Sequence, residues 1–180
     1  MARIEFQEAP VYSKARVAGH PLHPMLVAFP IAGYTGTLVG LIVYAVRDGQ
    51  FWLNFSILMN VVGVAGAVLA ALPGLVDLAA GIPKGHPAKR VGMRHAALNV
   101  LSLALFAIVL GVYASHWNGP ARSATLGITL AAIGVASMLA AGFLGWSLVQ
   151  DHHVGVRSDA ERGGTEWSAD VHGAHQSHRR

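Results

Sequence analysis

Apolar positions in this chain run on for long stretches without interruption. Residues 24–46, 51–76, 96–115 and 123–149 carry no charged side chain. Each reaches the roughly 20 residues that an α-helix needs to cross a hydrocarbon core. No polar stripe at helical spacing divides them. Residues 57–69, ILMNVVGVAGAVL, are apolar nearly all round. A soluble four-helix bundle needs a polar face on every helix, and none is found here. The pattern predicts an all-α integral membrane protein. Its four transmembrane helices, over about residues 24–46, 51–80, 95–116 and 123–150, form an up-down-up-down bundle.

Composition agrees with this. Charged residues are 12% of the chain and hydrophobic residues 53%, against about a quarter charged in soluble domains. The 180 residues divide into a polar segment (1–19), the membrane domain (20–157) and a Gly/Ser/His-rich tail (158–180) expected to be disordered. His172, His175 and His178 in that tail have no fixed geometry with which to define a metal site. Without cysteine there is no disulfide, thiolate site or thiol nucleophile. The first 19 residues lack the apolar core of a signal peptide, so the first helix is expected to serve as the insertion signal.

Four spans put both termini and the loop between the second and third spans on one side. Eleven of the 13 Lys and Arg fall there, against Arg47 and Arg122 opposite. Positive charge is retained in the cytoplasm, so the reading is a bacterial-type inner (plasma) membrane protein with both termini cytoplasmic. The net charge of +4 then reflects topology and contact with lipid headgroups, and nucleic acid is not implied as a partner.

Folding this topology gathers polar residues at the cytoplasmic end. GHPLHP, residues 19–24, brings His20 and His23 to the start of the first helix, with Pro24 suited to a first helical turn. The second helix delivers Asp77, the third His95 with Asn99 one turn on, and the fourth His152 and His153. Ionisable groups at membrane depth are costly, and a cluster of them marks a functional site. Taken singly, each also has a structural role: capping, interfacial anchoring or interhelical hydrogen bonding. The proline-rich approach leaves open whether His20 or His23 turns inward.

Several of these residues fall in motifs. His20-Pro21-x-His23-Pro24 with Phe29-Pro30, Gly74-x-x-Asp77, His95-x-x-x-Asn99 and the closing run Leu148-Val149, His152, Val154-Gly155-Val156 resemble the bacterial membrane family called domain of unknown function 2231. The likeness covers about residues 19–156. It implies a four-helix membrane protein. Relatives joined to cytochrome c-like or Rieske-like modules point to electron transfer and to redox proteins as partners. Many relatives carry Tyr in place of Gln150 and Gly in place of His153, and some carry His in place of Ala28, so no role is carried over at those three positions.

Three functions fit the cluster. In the first, a b-type haem is held by two histidines, His23 and His95 on diagonal helices, with His20 or His152 as substitutes. Asp77 or Asn99 would orient a ligand through its other ring nitrogen, and glycines would make room for the porphyrin. In the second, two or three of these histidines with Asp77 hold a transition-metal ion or relay protons. In the third, the chain is a scaffold or accessory subunit without chemistry of its own, in which Pro30 and Pro73 kink the first two helices and free the carbonyls of Leu26 and Leu69. No nucleophile stands beside a base and no carboxylates are paired, so no independent enzyme activity is expected.

Overall fold

The computed structural model describes residues 11–120 and 123–156. The expected tail and most of the expected N-terminal segment lie outside them. The chain enters through a two-residue antiparallel pair, β1 (Arg16–Val17) and β2 (His20–Pro21). A left-handed turn at Ala18 and Gly19, φ +49° and +81°, joins the strands. Helices follow: α1 (Leu22–Leu26), α2 (Ala28–Arg47), α3 (Gln50–Val76), α4 (Pro87–Tyr113) and α5 (Thr125–Gln150). Together α1 and α2 form the first of four spans long and apolar enough to cross a membrane. These spans pack as an antiparallel bundle. Its surface carries exposed apolar side chains such as Phe29, Leu58, Val100 and Phe143, the face that lipid covers. The end where β1, β2 and α1 lie is called the entry end below.

Prolines set the local breaks. Pro30 has no N–H for the Leu26 carbonyl, and the helix breaks at Val27, between α1 and α2. Pro73 lies inside α3 without ending it. Past Val76 the chain widens into a π-turn, Asp77–Gly81, closed by Ile82 N–H on the Asp77 carbonyl at 3.1 Å. Lys89 Nζ donates to the carbonyls of Leu78 and Ile82 there, a cation on the loose carbonyls of a helix C-terminus. The third helix starts at Pro87, earlier than the residue 95 expected from charge. The His86 side chain accepts from Ala88 N–H at 3.2 Å and Pro87 fills the first position, so the first two turns carry Lys89, Arg90 and Arg94. Charge marks where the apolar stretch begins and not where the helix does.

α2 packs chiefly on α3 and α4 on α5. The two hairpins then join through α2–α5 and α3–α4, leaving α2 and α4 diagonal. At the centre Tyr34 of α2 and Phe106 of α4 stack, ring centroids 3.8 Å apart and planes 2° from parallel. Face-to-face stacking is not what ring quadrupoles prefer, so the surrounding packing imposes it. Glycines receive both rings: a Cβ at Gly63 would lie 2.6 Å from Tyr34 Cδ1, and one at Gly134 2.6 Å from Phe106 Cε2.

The Tyr34 hydroxyl is buried with no hydrogen-bond partner among the described residues. An unmet buried hydroxyl costs about 1–3 kcal/mol, and Phe106 fills the equivalent place without one. Tyr34→Phe is therefore expected to raise the thermal unfolding midpoint in detergent. A clear fall would mean that the hydroxyl has a partner.

Candidate functional site

His23 and His95 meet across the diagonal at the entry end. Their ring centroids are 6.0 Å apart and the planes stand at 84°. Each ring is held by the helix beside it. His23 Nδ1 lies 2.8 Å from the Ala70 carbonyl oxygen, and His95 Nδ1 lies 2.7 Å from that of Ala141. A carbonyl only accepts, so both Nδ1 atoms carry the hydrogen, and in a neutral ring held this way Nε2 is the atom with the lone pair. Asn99, one turn beyond His95, donates from Nδ2 to the His95 carbonyl at 2.9 Å, and the same nitrogen is 3.1 Å from His95 Nε2. Both rings rest on glycine. A Cβ at Gly74 would fall 2.9 Å from His23 Nδ1, and one at Gly145 would fall 3.1 Å from His95 Cε1. These two glycines make room for imidazole rings, where the expectation was room for a porphyrin.

Asp77 stands apart from the ring pair. Its carboxylate accepts from Ser13 Oγ at 2.8 Å, Lys14 N–H at 2.7 Å and Ala15 N–H at 3.0 Å. It fastens the incoming strand to the end of α3 and orients neither histidine; backbone carbonyls do that. His20 is exposed on β2, with Nδ1 3.0 Å from the Ala18 carbonyl oxygen. His23 is therefore the inward ring. His152 lies beside His86, centroids 6.4 Å apart. The expected single layer thus resolves into the ring pair with Asn99, the Asp77 clamp, and His86 with His152. No group of three or more potential metal ligands forms among the described residues.

The carbonyls that hold the rings were not anticipated, and a repeat in the chain points to them. The two ring-to-carbonyl bonds span 47 and 46 residues. The steps His23–Tyr34, His95–Phe106, Gly63–Gly74 and Gly134–Gly145 are all equal, about three turns of helix, so each pair lies on one helix face. Residues 60–74, NVVGVAGAVLAALPG, align without a gap on residues 131–145, AAIGVASMLAAGFLG. The match includes Gly63 with Gly134, Ala70 with Ala141, and Gly74 with Gly145. Each hairpin is one copy of a parallel repeat, related to the other by an approximate two-fold axis along the bundle. The histidine pair and the Tyr34–Phe106 stack both bridge the two copies.

A family model described as "Predicted membrane protein (DUF2231)" matches residues 19–158. The chain belongs to that family. No curated protein and no solved structure matches it. The matched stretch begins at the glycine before His20 and takes in the strand pair's second half, every helix and both members of the ring pair. Family membership and four apolar spans make this an integral, multi-pass membrane protein whose surroundings are the lipid bilayer.

At the far end a second polar group joins the copies. Gln50 Nε2 donates to Asn54 Oδ1 at 2.8 Å and to the His116 carbonyl at 3.2 Å, and Asn54 Nδ2 donates to Asn118 Oδ1 at 2.8 Å. It contains no carboxylate, and His116 takes part through its backbone carbonyl, so it works as a fastening.

Proposed function

We propose that His23 and His95 are the two protein ligands of a metal centre at the junction of the repeats, and that the centre carries single electrons. The observation behind this reading is the matched commitment of both Nδ1 hydrogens to backbone carbonyls. An imidazole held that way has its ring angle and tautomer set and offers Nε2 as a ligand, the outer-sphere arrangement typical of metal-bound histidine. Two nitrogens make half of a tetrahedral zinc shell but the whole axial set of a haem iron. A b-type haem is therefore the group this site suits best. His23 and His95 would be the residues to hold it, their rings lying 6.0 Å apart between centroids. Asn99 has a second acceptor in the His95 carbonyl, so turning His95 Nε2 over to a metal leaves it hydrogen-bonded. The charge bias along the sequence supports a cytoplasmic position for the entry end, and so for the pair. The partner in this reading is a one-electron redox protein of cytochrome c-like or Rieske-like kind.

A clasp without a cofactor is the second reading. It is favoured by the bonds of His23 to α3 and His95 to α5, which tie helices together whatever Nε2 does.

Absorption spectra of detergent-purified protein, oxidised and dithionite-reduced, separate the two. With haem supply adequate, a Soret band and sharpened reduced bands are expected, lost in His95→Ala and His23→Ala. A featureless spectrum rules the haem out. Metal analysis of the same sample then separates a bare ion, present near one per chain and absent from both variants, from the clasp, which binds none.

A further inference from the structure

The ring pair leaves one histidine of His20-Pro21-x-His23-Pro24 unused. His20 lines a cavity of about 330 Å³ at the entry end together with Tyr12, Arg16, Gly19 and Gly155. That volume is near the lower end for small-molecule sites and far more than a water needs. Among the described residues no acidic side chain lines it and Arg16 has no carboxylate partner. Asp77, close by in the fold, is already taken by three donors from residues 13–15. His20 Nδ1 is engaged by the Ala18 carbonyl.

The walls are also fixed in place. Asp77 holds residues 13–15, Leu22 N–H bonds the Ala15 carbonyl at 3.0 Å, and Gly155 N–H bonds the Val11 carbonyl at 2.7 Å. Thus the strand pair is tied both to the end of α3 and to the chain leaving α5. A left-handed glycine opens each side of the cavity, Gly19 at φ +81° and Gly155 at φ +80°, and a Cβ at either would meet nothing within 4 Å. Pro21, in the wall of the cavity, directly precedes the first span, which begins at Leu22.

We infer that this cavity binds the phosphate of an anionic phospholipid headgroup, with Arg16 as the charged fork and the His20 ring in the wall beside it. Guanidinium matches phosphate oxygens two at a time, and basic pockets at the bilayer boundary select anionic headgroups. The site is independent of any metal at His23 and His95.

Native mass spectrometry of the full chain in detergent, with equal phosphatidylglycerol and phosphatidylcholine, tests it. Phosphatidylglycerol should be retained preferentially. Arg16→Gln, at an exposed position, should cut that preference about fivefold, the worth of one cation near a lipid surface. Equal retention of the two lipids, or a preference untouched in the Arg16→Gln/His20→Gln double variant, overturns the proposal. Inorganic phosphate provides the last arm. If it displaces phosphatidylglycerol the site reads phosphate as proposed; if it binds where phosphatidylglycerol does not, the ligand is a soluble anion and the lipid assignment fails.

Discussion

Gly33→Val is expected to yield little folded protein. α2 and α3 approach most closely where Gly33 faces Gly63. A Cβ at residue 33 would collide with the Gly63 backbone and lie 2.7 Å from the Met59 carbonyl oxygen. Backbone atoms cannot rotate aside, so the helices must part, and with them the seat of Tyr34 on Gly63. Small residues give membrane helices their packing energy by allowing such approach, and overpacking of this severity costs about 3 kcal/mol or more. The folded fraction by size-exclusion chromatography and the unfolding midpoint in detergent measure it. Two other glycines serve as controls. Gly36→Ala meets the flexible Met59 side chain, and Gly111→Ala meets nothing within 4 Å; both should fold. Wild-type stability in Gly33→Val would mean that the helices do not approach this closely.

Asp77→Ala should have the second largest effect. It removes the acceptor of three hydrogen bonds, two of them from backbone N–H groups. Bonds to a charged acceptor contribute about 1.5–3 kcal/mol each. Because Asp77 is half-buried, a total of about 2–3 kcal/mol is expected. Local release should be plainer than global unfolding: trypsin should cut after Lys14 and Arg16 many times faster, with the helices still intact. Asp77→Asn should fall between, since an amide keeps one acceptor oxygen and turns an N–H toward the others. Equal cleavage of wild type and Asp77→Ala would show that the strand is held elsewhere.

The spans were legible because lipid leaves few choices. A run such as residues 57–69, apolar all round, has no soluble use, and short far-end loops leave antiparallel packing as the natural outcome. The meeting of His23 with His95 was also within reach, once the first and third helices were taken as diagonal. The settings of the rings were not. Each is held by a backbone carbonyl, Ala70 or Ala141, and carbonyls leave no mark in residue type. Asp77 misled for a related reason. Its donors are two main-chain N–H groups and Ser13, in a polar stretch with no periodicity to read. The repeat was the missed signal, for the equal spacing of His23, Tyr34, Gly63 and Gly74 with His95, Phe106, Gly134 and Gly145 is visible in the letters alone. It is faint because helices in lipid share so much Ala, Gly and Val by composition.

The two rings of the pair are mounted differently despite the symmetry around them. His95 stands about two turns inside α4, a helix unbroken over 27 residues. His23 rides on α1, only five residues long, cut from α2 at Val27 where Pro30 withholds its hydrogen bond. One jaw of this vice is therefore fixed and the other is hinged. The strand that Asp77 grips meets α1 through Leu22 and Ala15, so a pull on the amino-terminal strand is a pull on the hinged jaw.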